Sequence, residues 1–136
     1  IALQQAKNQG LSIPIVYNTG SYESPEALRH LDGLVDIYLP DLKYFSPELS
    51  AAYSHAPDYF EIACAAIAEM YRQVLDPVMD PDTGLMQRGM IVRHLLLPGQ
   101  AKDSKKILRY LHETYGDHIY ISIMNQYTPL PQVADI

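Results

Sequence analysis

The chain holds one cysteine, Cys64, in 136 residues. A single thiol cannot form an internal disulfide framework, nor an all-cysteine metal or iron–sulfur site from this chain alone. No apolar run reaches the roughly 20 residues that a bilayer-spanning helix needs. No basic segment leads into an apolar one at the N-terminus, so no signal peptide is visible. Positive charge is also scarce: 10 Lys and Arg stand against 16 Asp and Glu, a formal net charge of −6. Without a basic tract the chain lacks the surface on which non-specific nucleic-acid binding depends, and the polybasic patch that anionic lipid attracts. These absences set the expectation of no nucleic acid, no membrane and a cytoplasmic location. Familiar catalytic signatures are missing too. His30, His55, His112 and His118 show no metal-ligand spacing, and there is no G-x-S-x-G elbow or phosphate loop.

What is present is globular. Hydrophobic residues make up 48% and charged residues 19%, which argues against global disorder. A chain near this length buries about 68–70% of its unfolded surface, enough for one domain. The sequence starts Ile1-Ala2-Leu3 without a Met and stops at Val133-Ala134-Asp135-Ile136. This leads us to expect that residues 1–136 are a single fragment of a larger chain.

Strand and helix signals alternate. Residues 1–9 carry Leu3 and Ala6 on one face, with Gly10 placed as a helix stop. Ser12 to Tyr17 is rich in β-formers and reads as a first strand. Ser24-Pro25-Glu26 starts a helix that Gly33 ends, and Ser46-Pro47-Glu48 repeats that chemistry before a short segment around Leu49 to Tyr53. Leu34 to Leu39 reads as a second strand, stopped by Pro40. Over 58–74, Tyr59, Ile62, Ala63, Ala66, Ile67, Met70 and Val74 recur at helical intervals. Residues 76–84 contain Pro77, Pro81 and Asp82-Thr83-Gly84 and read as an exposed connection. Gly89 to Leu97 is nearly continuously apolar, as a strand buried on both faces would be. A helix capped by Asp103 or Ser104 carries Ile107, Leu108, Leu111 and Tyr115, and His118 to Met124 is a fourth strand. The order predicts an α/β fold of parallel strands. Four strands are too few to close an eight-stranded barrel, so the open choices are a doubly wound sheet or part of a barrel.

Parallel α/β folds gather their ligands beyond the carboxyl ends of the strands. The first strand runs into Asn18, the second into Asp41 and Lys43, and the fourth into Asn125, Gln126 and Tyr127. Asp41 and Lys43 are two apart and share a face if the strand continues, offering an acceptor and a cation to a zwitterionic or polyhydroxylated ligand. A solvated surface ion pair is the competing reading. Arg93 lies within an apolar strand and needs a partner: a ligand carboxylate, or a structural acid. His94 points to the opposite face if the strand is regular and reads as a packed histidine, with an acid/base role as the alternative; Cys64, between alanines, reads as a small core residue.

The strand-end residues resemble a known family. Tyr17-Asn18-Thr19-Gly20-Ser21-Tyr22-Glu23, Asp36 to Tyr44, Tyr53 to Tyr59, Arg88 to Gly99 and Met124 to Pro129 are together similar to the C-terminal portion of a radical S-adenosylmethionine (radical SAM) protein. The type is that of pyruvate formate-lyase activating enzyme and its homologues. The resemblance implies a partial, TIM-like (β/α)6 barrel of which these are the later strands. It implies S-adenosylmethionine and a 4Fe-4S cluster at the strand carboxyl ends. Reductive cleavage there gives a 5′-deoxyadenosyl radical that takes hydrogen from a substrate. That substrate is a glycyl radical enzyme in the activating enzymes, and here another protein or a small molecule is equally open. By position, Asn18, Asp41, Lys43, Arg93, Gln126 and Tyr127 are the implied S-adenosylmethionine-binding residues.

The departure is as clear. The family binds its cluster through C-x3-C-x2-C near the first barrel strand, and Cys64 cannot supply that. The fragment by itself is therefore expected to be inactive. Two other readings stand beside this one: a ligand- or protein-binding α/β module without chemistry, and a Schiff-base barrel with Lys43 as nucleophile.

Overall fold

The computed structural model describes residues 2–127. Its elements are α1 (Ala2–Asn8), β1 (Val16–Thr19), α2 (Pro25–Arg29), β2 (Ile37–Pro40), α3 (Pro47–Ser54), α4 (Tyr59–Val74), β3 (Val78–Met79), β4 (Met86–Leu95), α5 (Ala101–Tyr115), a 3-10 turn (Gly116–His118) and β5 (Tyr120–Met124). The chain is α/β, as its alternating pattern predicts. β1 pairs with β2, β2 with β4 and β4 with β5, all parallel. These parallel strands lie side by side in chain order, with no reversal among the described residues. β3 is the antiparallel exception, paired with the start of β4.

Helix starts follow local chemistry. Ser24 and Ser46 cap α2 and α3 through their hydroxyls, each with Pro at the first helical position. The strands, in contrast, lie later than the β-former runs suggest. Pro14 has no N–H to offer a ladder, and Ile13 stays exposed. Pairing begins at Val16, where the Ile15 N–H is taken by Asp36 Oδ2 at 2.7 Å. Leu34 and Val35 bond back to the Leu31 carbonyl in the turn after α2, so β2 starts only at Ile37.

The connection expected over 76–84 is a hairpin. Asp80 Oδ1 accepts from the backbone N–H of Asp82 and Thr83 and from the Thr83 hydroxyl. Across the turn, the Asp80 N–H donates to the Leu85 carbonyl. This folds Val78–Met79 onto β4, which starts three residues earlier than expected. Gly89 permits the approach: a Cβ there would lie 3.0 Å from Pro77 Cα, at φ +140°.

One core joins sheet and helices. Tyr38, Met90 and Val92 are fully buried with Ala63, Ala66, Ile67 and Met70 of α4 and Ile107 and Leu111 of α5. Each large side chain so buried contributes about 1.5–3 kcal/mol. Burial on both faces of β4 does not hold. Met90, Val92 and His94 are buried, whereas Ile91, Arg93 and Leu95 on the other face are only half-buried. That second, less covered face leads to the polar rim.

Candidate functional site

The strand shifts decide what reaches the rim. Because β1 runs to Thr19, Asn18 is inside the strand and opposite Leu39. Asp41 extends β2 by one bridge to Arg93. Three neighbouring strands thus set Asn18, Asp41 and Arg93 in a row. Arg93 Nε donates to Asp41 Oδ1 at 2.8 Å, and Nη2 reaches Asp41 Oδ1 at 2.7 Å and Asn18 Oδ1 at 2.9 Å. Lys43 Nζ lies 3.9 Å from Asp41 Oδ2. Asp41 and Lys43 therefore do share a face. Arg93, which lies inside β4 and not beyond its end, extends up to the rim. Its partner is another rim residue, so Nε and Nη2 are already committed, while Nη1 makes no hydrogen bond among the described residues.

The cluster borders a cleft of about 250 Å3 lined by Asp41, Lys43, Tyr44, Leu95, Leu97 and Met124. Its wall is apolar except for the Asp41 and Lys43 head groups and the Tyr44 hydroxyl, which pairs with Ser54 Oγ at 3.0 Å. With one carboxylate and two cations, the rim carries a net formal charge of +1 in a chain of net −6. That arrangement suits a zwitterion: Asp41 can take an ammonium, and Lys43 with Arg93 a carboxylate.

Several supports have no signal in the local sequence. Tyr59, read only as an apolar position of α4, turns its hydroxyl to the rim loops. It accepts from the Lys43 N–H at 3.1 Å and donates toward the carbonyls of Asp41 (2.9 Å) and Gly20 (3.1 Å). Burial pushes this hydroxyl's pKa up, so it remains a donor. Asp103 and Ser104 are not caps, since α5 has already begun at Ala101 and both lie within its first turn. Buried Asp103 accepts from the N–H of Phe45 and Ser46 at 2.8 and 2.9 Å. Ser104 Oγ meets His94 Nε2 at 2.9 Å, and His94 Nδ1 meets the Leu42 carbonyl at 2.7 Å. A carbonyl only accepts, so Nδ1 carries a proton. His94 is thus a packed histidine on the covered face, as its strand position predicts. On β1, Glu23 bonds both Tyr17 Oη, at 2.9 Å, and Thr19 Oγ1.

Gln126 and Tyr127 follow β5 directly. Met124, two residues earlier, lines the cleft. Among the described residues no hydrogen bond or ion pair joins Gln126 or Tyr127 to the Asn18–Asp41–Arg93 row. Thr128 and Pro129 of the last resembling segment lie outside the described residues. Nor do three His, Cys, Asp or Glu side chains gather as a metal-ligand set among them. Cys64 lies on α4, half-buried, and burial pushes its thiol pKa up. No described helix is long and apolar enough to cross a membrane.

Comparison with known proteins adds one relative. The chain is 28% identical over 119 residues to the uncharacterized protein MJ0674 of Methanocaldococcus jannaschii, an alignment that takes in 87% of this chain and 30% of that protein. The chain therefore spans about a third of the length of the curated relative it matches. No family model and no solved structure matches it.

Proposed function

We propose that this chain is the S-adenosylmethionine-binding later part of a radical SAM partial (β/α)6 barrel within a longer, cytoplasmic protein. The observation that carries the reading is the row of Asn18, Asp41 and Arg93 with Lys43, at the carboxyl ends of parallel strands that adjoin in chain order. The methionyl end of S-adenosylmethionine is an α-ammonium and an α-carboxylate beside a sulfonium. Asp41 holds the ammonium. Lys43 and the uncommitted Nη1 of Arg93 hold the carboxylate, and Asn18 fixes the Arg93 fork. Leu95, Leu97 and Met124 keep water from the apolar side of the cleft. When bound, the cofactor would supply a 5′-deoxyadenosyl radical, with release of methionine, on taking one electron from a low-potential donor held elsewhere in the longer protein. A 4Fe-4S cluster does not fit the residues present, since Cys64 is a single, half-buried thiol on α4. Its ligands are assigned to other parts of the longer protein. The hydrogen donor is a glycyl radical enzyme, another protein or a small molecule.

The test is equilibrium dialysis of S-adenosylmethionine against the longer protein. Asp41→Ala and Lys43→Ala should each weaken binding at least about tenfold, a loss of about 1.4 kcal/mol. Unchanged affinity in both variants sinks the reading.

One observation favours a second reading. Arg93, Asp41 and Asn18 satisfy one another, as a structural tie across three strands would. The chain would then be a binding module without chemistry, and Asp41→Ala would lower stability while leaving S-adenosylmethionine affinity where it was. A Schiff-base role has less support. Lys43 is 44% exposed and has a carboxylate beside it, whereas an activated lysine needs an apolar or cationic setting. Borohydride with a carbonyl substrate should leave Lys43 unmodified.

A further inference from the structure

A second cleft of about 270 Å3 adjoins the first, lined by Gly20, Tyr22, Lys43, Ser54, His55, Ala56 and Tyr59. Lys43 lines both clefts. Its ammonium passes over Gly20, where a Cβ would lie 3.6 Å from Nζ. No carboxylate is among the lining residues of this cleft, although the chain is acidic.

Most polar groups in the wall are already engaged. The Tyr59 hydroxyl is shared among three loop atoms. Tyr22 donates to Asp58 Oδ1 at 2.8 Å, and Ser54 pairs with Tyr44. Two groups are left over. Lys43 has only the 3.9 Å contact with Asp41, and the His55 ring makes no hydrogen bond among the described residues.

The backbone around this cleft is also unusual. Ser21 (φ 67°) and His55 (φ 53°) are two of the three non-glycine residues of positive φ among the described residues, and they belong to the two loops that form its walls. His55 ends α3 in the left-handed conformation, donating its N–H to Ala51 and Ser50. Glycine or asparagine serves that position at less cost. An exposed imidazole at that position, lining the same cleft as Lys43, has a use that the helix end does not explain.

We propose that this cleft binds the anionic group of a small molecule, a carboxylate or a phosphate, between the Lys43 ammonium and the His55 imidazole. The stacked rings of Tyr22 and Tyr59, 6.2 Å apart and 14° from parallel, form the wall against which the rest of the molecule lies. Because Lys43 belongs to both clefts, a molecule held here ends beside the rim cluster. That it is the substrate of the rim site rests on the function proposed above; that the cleft takes an anion does not.

The experiment is calorimetric titration of the longer protein with inorganic phosphate and, separately, with malonate. Wild type, His55→Gly and His55→Asn are compared, each also assayed for S-adenosylmethionine affinity and thermal midpoint. One of the two anions should bind wild type with a dissociation constant of about 1 mM or tighter. Both variants should lose at least about tenfold of that affinity. S-adenosylmethionine affinity should stay within about twofold, and the thermal midpoint should hold or rise as the positive φ is relieved. Which anion binds distinguishes phosphate from carboxylate chemistry. The proposal is overturned if neither anion binds wild type, or if both variants bind as wild type does. It is equally overturned if S-adenosylmethionine affinity falls in step with the anion, which would make this cleft part of the rim site. Anion binding that depends on His55, in a protein that does not bind S-adenosylmethionine, would uphold the cleft and sink the function proposed above.

Discussion

The Tyr59 hydroxyl ties the loop after β1 to the loop after β2 by accepting one N–H and facing two carbonyls. Tyr59→Phe leaves the Lys43 N–H without its acceptor and should cost about 1–3 kcal/mol, read as a lower urea midpoint. Glu69 does a similar service on the covered side. It is a buried carboxylate on α4 that accepts from Arg72 at 3.0 and 2.8 Å and from Gln73 at 2.8 Å. The Arg72 hydrogen bonds first, then that of Gln73, lower its pKa from an ordinary 4.5 to about 2. A carboxylate depressed on folding contributes stability that is complete above the unfolded value and is lost as pH falls through the folded one. Wild type should therefore exceed Glu69→Gln in thermal midpoint at pH 6. The gap should close progressively between about pH 4.5 and pH 2, the window set by those two values. A gap that stays constant across that range would show that the Glu69 charge is not what stabilises. At this scale the sequence is informative where chemistry is short-range. Asp41 and Lys43 are legible as a pair because they are two apart in an extended segment. Tyr59 is not legible, because its apolar neighbours at helical spacing point to the core and nothing local shows the hydroxyl turning to the rim.

Among elements, α5 holds the β2–α3 loop in place. Asp103 fixes the N–H groups of Phe45 and Ser46, and Ser104 reaches the loop through His94 and the Leu42 carbonyl. Asp103→Ala strands two half-buried amide donors. It should destabilise by about 2–4 kcal/mol and weaken any ligand of Lys43, since the same loop carries that lysine. Chemical denaturation and ligand titration on the one variant check both effects. Helix existence and the seryl caps of α2 and α3 are legible, being matters of local backbone geometry. Strand limits are not. β1 and β2 each begin later than their β-former runs, since pairing needs a partner with free backbone groups. Pro14 and the turn after α2 withhold those groups until Val16 and Ile37. The β3–β4 hairpin is hidden for a related reason: two prolines mark its turn region, while a strand as short as Val78–Met79 has no periodicity to read.

Across the whole molecule, protection should fall from the centre of the sheet to its edges. β2 and β4 are flanked on both sides, whereas β1 has no described strand beyond it. The Ile15 and Thr19 carbonyls accept from Ile37 and Asp41, so odd residues of this segment turn their backbone toward β2 and even residues turn away. In this chain alone, the amides of Val16 and Asn18 should exchange with solvent hydrogen rapidly, and those of Tyr17 and Thr19 slowly. In a longer protein with the barrel proposed here, an upstream strand would cover that edge, and Val16 and Asn18 should become protected. Rapid exchange of both in the longer protein would count against the barrel while leaving the α/β sheet as described.

The sequence by itself determined the alternation of strands and helices and the polar endings of the strands. Those depend on periodicity, capping and turn chemistry within a few residues. Only the tertiary structure decided that Arg93 reaches Asn18 and Asp41, residues 75 and 52 positions away, and that Asp103 secures the loop bearing Lys43. Such contacts depend on strand register and on how α5 packs, and a register set by long-range pairing leaves no trace in local spacing.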